Sequence, residues 1–258
     1  MSRTTIDLAT VEPFARHDAV ELGRVEYHRF VDALERLAPG DWNRATDCDA
    51  WTVRDLAGHL AGSMRTQTGI RRTIAELRAT KRRAKQTGER QVDAMTAVQI
   101  ESMADLDPAA LVERMRSLAD PAADGRRRPP RLIGALVKFP VDLGTVKETW
   151  TLDYLLGTIL TRDTWLHRVA DLARATRTVP VLDAAHDGRI VADIAAEWAR
   201  RHGRPFELTL TGDAGGHFVH GAPGPDALRL DLGAVDFCRI LSERAEPTHD
   251  RLATAVPF

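Results

Sequence analysis

Residues 148–177 have the sequence ETWTLDYLLGTILTRDTWLHRVADLARATR. About eight helical turns pass here without a proline, so the stretch predicts one long helix. At roughly 100° per residue, Asp163 lies at the centre of an apolar stripe, and His167 shares this face because residues four apart are neighbours on a helix. The stripe consists of Leu152, Leu156, Ile159, Leu160, Leu166 and Ala170. An acid and an imidazole are therefore predicted inside an apolar surface.

Two arrangements would satisfy these two polar side chains. An ionised carboxylate in an apolar face is costly unless something pairs with it. A divalent metal would bind both Asp163 and His167. A direct hydrogen bond between the carboxylate and the imidazole would satisfy them as well, and the stretch alone does not choose between the two.

Composition limits the class of protein. The chain has 258 residues, 43% of them hydrophobic and 28% charged, and a formal net charge of -1. These values are ordinary for a globular protein and give no general attraction to nucleic acid or to acidic membranes. The N-terminus has no apolar core of a secretory signal, and no apolar run reaches the roughly 18 residues of a membrane span. With two distant cysteines, we expect a soluble cytoplasmic protein without a nucleic-acid or membrane partner.

Two helices are predicted early in the chain. The first covers about residues 17–38 and ends at Pro39 and Gly40. The second opens at Thr52, a good N-cap, with Asp55 three residues later in the place of a capping-box acid. His59 borders the apolar stripe of this second helix. It is therefore predicted to point inward between helices.

The middle of the chain is less regular in pattern. Residues 71–90 predict a basic helix, which is either a nucleic-acid surface or a solvated face; the balanced net charge and the lack of interleaved aromatics favour the solvated face. Residues 91–119 predict further helix with a break near Pro108. From Pro121 to about residue 147 the sequence is rich in Pro, Gly and Arg, and predicts an irregular connection.

A change of composition near Thr178 to Pro180 predicts a boundary, with one domain at 1–178 and a second at 179–258. The second domain contains a predicted helix that ends before Gly203, three short alternating runs and a final helix. The runs cover 205–211, 217–221 and 227–232, the helices 184–202 and 234–244. We expect the three runs to form an antiparallel sheet. The predicted fold class is an α-helical bundle followed by a small α+β domain.

Three candidate metal ligands come from two of the predicted helices: His59, Asp163 and His167. Helical bundles build metal sites from inward-facing side chains of neighbouring helices. Three protein ligands leave positions open for water or substrate, as in catalytic sites. Taken singly, each histidine is more simply a hydrogen-bonded core residue. Together, the three are suggestive of a metal centre.

Three segments resemble a known family. Residues 46–60, TDCDAWTVRDLAGHL, are similar to the N-terminal domain of the mycothiol-dependent maleylpyruvate isomerase family, within the DinB-like superfamily of four-helix bundles. Residues 162–176, RDTWLHRVADLARAT, resemble the second metal-binding helix of that family. The C-terminal segments FELTLTGDAGG and LDLGAVDFCRILSER resemble the small sterol-carrier-like domain that often follows. Residues 66–147 resemble nothing comparable.

The resemblance implies a metal site and a thiol cosubstrate. His59, Asp163 and His167 match the three ligand positions, with zinc as the implied metal; the acidic position is often Glu, and Asp163 is one methylene shorter. The implied cosubstrate is mycothiol, whose metal-activated thiolate adds to a conjugated double bond of a small electrophilic substrate, permits rotation and leaves. In relatives the thiol is transferred instead. The resemblance thus implies an isomerase or transferase whose nucleophile is external, with no protein residue assigned as catalytic.

A few other residues carry weaker predictions. Arg239 and Arg244 on the last helix are candidates to bind a substrate carboxylate, with simple surface charge as the alternative. Arg162 and Arg168 flank the ligands and are predicted to project to the surface or between domains. Cys48 is predicted to be a small loop hydrophobe rather than a nucleophile. The rival function is a non-catalytic protein that binds a metal or a small apolar ligand.

Overall fold

The computed structural model describes residues 4–48, 50–144, 147–222, 224 and 227–258. The chain forms two compact units. One consists of Ala15–Thr178, and the other of Met1–Phe14, which contains strand β1 (Thr5–Asp7), together with Val179–Phe258. The predicted domains, 1–178 and 179–258, differ from these units in the assignment of residues 1–14. Among the described residues, no helix is long and apolar enough to cross a membrane.

The unit Ala15–Thr178 begins as a helical bundle. Its helices, in chain order, are α1 (Arg16–Glu35), α2 (Val53–Gln67), α3 (Ile70–Thr87), α4 (Gln91–Glu101), α5 (Pro108–Arg127) and α6 (Arg131–Leu136). The predicted capping box starts α2, because the Thr52 backbone N–H donates to Asp55 Oδ2 at 2.9 Å and the Asp55 N–H donates back to Thr52 Oγ1 at 3.2 Å. Phe30, Leu56 and Met115 bring α1, α2 and α5 into one buried core.

The region predicted to be an irregular connection is instead mostly regular. Helix α5 continues through Pro121 to Arg127, and α6 follows. A proline inside a helix costs about 3 kcal/mol or more. Here Leu118, Ala122 and Ala123 are buried around it, and this apolar burial offsets the cost. Strand β2 (Lys138–Asp142) then begins a hairpin; Thr145 and Val146, also part of the predicted connection, lie outside the described residues.

The long helix α7 starts later than predicted. Residues Lys147–Thr151 form strand β3, antiparallel to β2, and the prediction of helix from residue 148 is wrong there. Thr151 ends the strand and caps the helix, since its side chain accepts a hydrogen bond from the Tyr154 backbone N–H. Helix α7 then runs through Leu152–Tyr154, the π segment Leu155–Ile159, Leu160–Leu166, a second π segment at His167–Leu172, and Ala173–Thr176.

The second unit is a small α+β fold. Its elements after β1 are α8 (Asp187–His202), β4 (Phe206–Thr211), β5 (His217–His220), β6 (Leu228–Gly233) and α9 (Ala234–Leu241). Trp198 of α8 packs against Phe206 and Phe237, with ring centroids 4.7 and 5.4 Å away. Gly203 ends α8 in the left-handed conformation, φ 66°, as glycine permits.

The sheet of this unit is mixed, which corrects the prediction of an antiparallel one. Its strand order is β1-β5-β4-β6. Only β4 and β5 pair antiparallel, whereas β6 lies parallel to β4 and β1 lies parallel to β5. The pairing of β1 joins residues more than 200 positions apart, and local turn signals cannot report such a contact. The predicted fold class, a helical bundle followed by a small α+β domain, is confirmed.

Candidate metal centre

Helix α2 places His59 in the interior of the bundle. The capping box fixes the start of α2, and His59 follows two turns later with only 6% of its surface exposed. Its Nδ1 atom lies 2.8 Å from Oε1 of Gln99, which belongs to α4. The imidazole is therefore held by a buried amide at Nδ1 and turns Nε2 toward Asp163.

Helix α7 supplies an acid–imidazole–acid series at four-residue spacing. His167 Nε2 lies 3.1 Å from Asp163 Oδ1, and His167 Nδ1 lies 2.6 Å from Asp171 Oδ2. His167 and Asp171 are buried, while the Asp163 side chain is 21% exposed. Because side chains four residues apart stack along one helix face, a single helix orients all three groups.

The structure brings the three predicted ligands together. His59 Nε2 lies 3.6 Å from Asp163 Oδ2, and potential ligand atoms of His59, Asp163 and His167 all lie within 4.8 Å of one another. Two imidazole nitrogens and a carboxylate are a donor set that suits zinc. Both rings turn Nε2 toward Asp163 and have Nδ1 occupied by a buried acceptor, as metal-binding histidines usually do. The residues present therefore fit a divalent metal.

The charges of this cluster depend on each other. Burial alone would raise the pKa of Asp163, but the charge and hydrogen bond of His167, together with the nearby His59, outweigh it and hold the pKa below its ordinary value. Burial alone would lower the pKa of His167, but Asp163 and Asp171 outweigh it and hold the pKa well above its ordinary value. Without a metal, Asp163 and His167 thus form an ion pair, and metal binding would displace a proton.

Several residues around the cluster were not predicted from sequence. Asp171 carries a signal that could have found it, because it follows His167 at the same spacing that links Asp163 to His167. Gln99 carries none, since it reaches His59 from a different helix. Cys48, predicted as a loop hydrophobe, is half-buried, and its thiol donates to Asp171 Oδ2 at 3.5 Å. The Trp51 ring lies 5.1 Å from His59 and 6.2 Å from His167.

The two arginines beside the ligands are buried, so the surface alternative of their prediction is wrong, whereas the alternative of a position between domains stays a prediction. Arg162 is fully buried. Arg168 is 6% exposed and donates through Nε and Nη2 to both carboxylate oxygens of Glu26, at 2.7 and 2.9 Å. This bidentate pair ties α7 to α1 directly after His167. It fixes the helix that carries two of the three candidate ligands.

An open cleft of about 670 Å³ is lined by residues of the bundle, and none of the three candidate ligands lines it. Trp51 and Cys48 line it, together with polar and charged side chains of α3 and α4 such as Arg83, Asp93 and Thr96. Small-molecule sites in proteins commonly have volumes of about 300–1,000 Å³. The Trp51 ring, which lies close to the rings of His59 and His167, also lines this cleft.

Arg239 and Arg244 lie in the second unit. The Arg239 side chain is 12% exposed, and its Nη2 donates to the Arg244 backbone carbonyl at 3.1 Å. Its Nη1 lies 3.6 Å from Asp236 Oδ1. Their role in binding a substrate carboxylate stays a prediction.

Gly62 sets the distance between α2 and α4, and we expect Gly62→Ala to destabilise the protein. A Cβ atom at this position would lie 2.7 Å from Cα and from the carbonyl oxygen of Gln99. Helix α4 would have to move, at a cost of about 2 kcal/mol or more, and the hydrogen bond between Gln99 and His59 would lengthen. Urea denaturation measures the loss of stability, and zinc affinity measures the effect of the longer hydrogen bond on His59.

Gly58→Ala is the matched control in the same helix pair. A Cβ atom there would lie 3.6 Å from Ile100 Cα, an ordinary contact. Alanine also favours helix by roughly 1 kcal/mol over glycine, so this variant should be at least as stable as the wild type. Equal stability of the two variants would show that close packing at Gln99 does not set the position of α4.

The helical bundle and its cluster of two histidines and one carboxylate are consistent with the DinB-like fold that the sequence resemblance implies. The sequence matches the family described as the mycothiol maleylpyruvate isomerase N-terminal domain over residues 24–173. The chain belongs to this family.

Solved structures agree with this fold. The crystal structure of the mycothiol-dependent maleylpyruvate isomerase matches with a TM-score of 0.53 and 16% sequence identity, covering 90% of each chain. A histidine-to-alanine mutant of that isomerase matches over the same share, with a TM-score of 0.52. At this identity the likeness establishes the fold alone. No curated protein sequence matches the chain.

Proposed function

We propose that this protein is a metal-dependent enzyme that uses mycothiol to isomerise, or to transfer the thiol to, a small electrophilic substrate. The observation that carries the proposal is the convergence of His59, Asp163 and His167 within 4.8 Å in the interior of a family-typical bundle. Membership of a family described by mycothiol and maleylpyruvate isomerase supplies the reaction class. Zinc is the proposed metal, because the donors are two imidazoles and one carboxylate.

Each residue has a separate task in this proposal. His59, Asp163 and His167 would hold the ion, which as a Lewis acid would favour the thiolate form of the external thiol. Gln99 and Asp171 orient the two rings through their Nδ1 atoms, so that Nε2 remains available. The Trp51 ring, 5.1 Å from the His59 ring and 6.2 Å from the His167 ring, would support both imidazoles from one side.

The cleft lined by Trp51 would bind a small polar molecule on the side of Trp51 that lies away from the two histidines. Its volume of about 670 Å³ is adequate for a low-molecular-weight thiol, and its charged and hydroxyl side chains offer hydrogen bonds to a polar cosubstrate. No residue of this chain is proposed as the nucleophile, because the external thiol fills that role.

The test is a turnover assay on protein purified without a histidine tag. Zinc-loaded wild type should isomerise maleylpyruvate when mycothiol is present and show no turnover when mycothiol is omitted. Asp163→Ala, which removes the shared carboxylate, should lower kcat/KM by about a hundredfold or more, since a ligand matters more than the outer contacts whose loss costs about 10- to 100-fold.

Thiol consumption without isomerisation, measured with an electrophile such as an alkyl halide, would assign the transferase branch of the proposal. Retention of an apolar ligand through purification, with neither zinc binding nor turnover, would overturn the proposal. The rival function, a non-catalytic binding protein, would then account for the fold.

A further inference from the structure

A chain of buried hydrogen bonds leads from His59 to Glu76 on α3. Gln99 Nε2 donates to Glu76 Oε1 at 2.8 Å, and Gln99 Oε1 lies 2.8 Å from His59 Nδ1. The Thr66 hydroxyl donates to the second carboxylate oxygen, Oε2. All four side chains are 7% exposed or less. The chain thus joins three helices to one candidate ligand in the interior of the bundle.

The direction of these bonds follows from chemistry. A carboxylate accepts hydrogen bonds at both oxygens, and Glu76 receives one at each. Gln99 must therefore turn its NH₂ group to Glu76 and its carbonyl to His59. A carbonyl accepts only, so the proton of the neutral His59 ring has to be on Nδ1. The lone pair is then on Nε2, the nitrogen that faces Asp163.

Burial of Glu76 is costly, and the bundle retains it. Burial raises the pKa of this carboxyl, against the hydrogen bonds from Thr66 and Gln99 that lower it. Replacing a buried ionic group by a well-packed apolar side chain is often neutral or stabilising, so stability alone is a weak account of a buried glutamate.

We propose that Glu76 is a positioning residue which, through the amide of Gln99, selects the His59 tautomer that can bind the metal. This inference rests on the proposed metal site. Glu76 touches neither the ligand atoms nor the substrate, and acts only by fixing the orientation of the amide between them.

Glu76→Gln is the diagnostic variant. It keeps the size of the side chain, but it no longer forces the Gln99 amide into one orientation. An amide at position 76 can donate to Gln99 or accept from it, so both orientations of Gln99 become available. We expect the zinc dissociation constant, measured by chelator competition on tag-free protein, to rise about tenfold. Folding stability should stay equal or increase, since a buried charge is lost.

Exchanging the residues at positions 76 and 99 should restore an acceptor that faces His59 Nδ1 in one orientation only. In the double variant Glu76→Gln, Gln99→Glu, the carboxylate at position 99 accepts from His59 Nδ1 and from the new amide at position 76. Zinc affinity should return to the wild-type value. Thr80→Val is the control, because Thr80 is buried one turn after Glu76 on the same helix, and removing its hydroxyl should leave zinc affinity unchanged.

Nitrogen NMR of the His59 ring in metal-free protein reads the tautomer directly. In alkaline buffer the wild type should carry the proton on Nδ1, and Glu76→Gln should show a mixture of both tautomers. An unchanged tautomer and unchanged zinc affinity in Glu76→Gln would overturn the inference, as would failure of the exchanged pair to recover. If the wild type binds no zinc, the proposed function fails, whereas the tautomer measurement still decides the role of Glu76.

Discussion

Replacing His167 with alanine is expected to reduce the zinc content of the purified protein from about one ion per chain to near zero. Of the two imidazoles, His167 brings its Nε2 atom closer to Asp163, at 3.1 Å, and its loss would leave two of the three proposed ligands. The drop in affinity should exceed the roughly 10- to 100-fold that loss of an outer-shell contact costs. Elemental analysis of tag-free protein after equilibration with zinc measures it.

Two further variants distinguish loss of a proposed ligand from loss of a residue that only contacts it and from loss of a distant histidine. Asp171→Asn weakens the acceptor at His167 Nδ1 but keeps the imidazole, so zinc affinity should fall by about 10- to 100-fold without being abolished. His28→Ala removes an exposed histidine of α1 and should leave the zinc content unchanged. Full zinc content in His167→Ala would contradict the site and leave Asp163 and Asp171 as members of a hydrogen-bonded core.

The parts of this site that sequence predicts are those set by local geometry. Asp163 and His167 share a face because a helix repeats every 3.6 residues, and the capping box around Thr52 fixes the start of the helix that carries His59. Each of these signals lies within a few residues of the feature it predicts. For that reason the pair of site helices could be read from the sequence before any contact was known.

The parts that sequence does not predict depend on contacts between distant segments. Gln99 and Glu76 reach His59 from α4 and α3, and the helical pattern around them is the same as that of any solvated helix. Residues 148–151 are predicted as helix because they continue a long stretch without proline, but pairing with β2 makes them part of a strand. Pairing and packing of this kind depend on the whole fold.

Arg126 is the clearest example of such a residue. In sequence it stands in a run of three arginines before two prolines, a pattern typical of a solvated connection. In the structure it is fully buried on α5. Its Nε donates to the carbonyl of Leu156 at 2.5 Å, and its Nη2 donates to the carbonyl of Gly157 at 2.9 Å and to Thr161 Oγ1 at 2.5 Å.

Arg126→Met should therefore destabilise the bundle strongly. Leu156 and Gly157 lie in the first π segment of α7, and the variant leaves their buried carbonyls without this donor. Each unsatisfied buried group costs about 1–3 kcal/mol, so we expect a loss of about 4 kcal/mol. Urea denaturation of metal-free protein measures it without the contribution of bound zinc.

Arg114→Ala is the control for Arg126→Met, because Arg114 is exposed on the same helix and its loss should change stability by no more than about 0.5 kcal/mol. Arg126→Lys keeps the charge with fewer directed donors and should lie between the two. The π segment directly precedes the turn that carries Asp163, so Arg126→Met should also weaken zinc binding. If Arg126→Met were as stable as Arg114→Ala, the carbonyls of the π segment would have found other partners. Helix α7 would then keep its shape without the buried guanidinium.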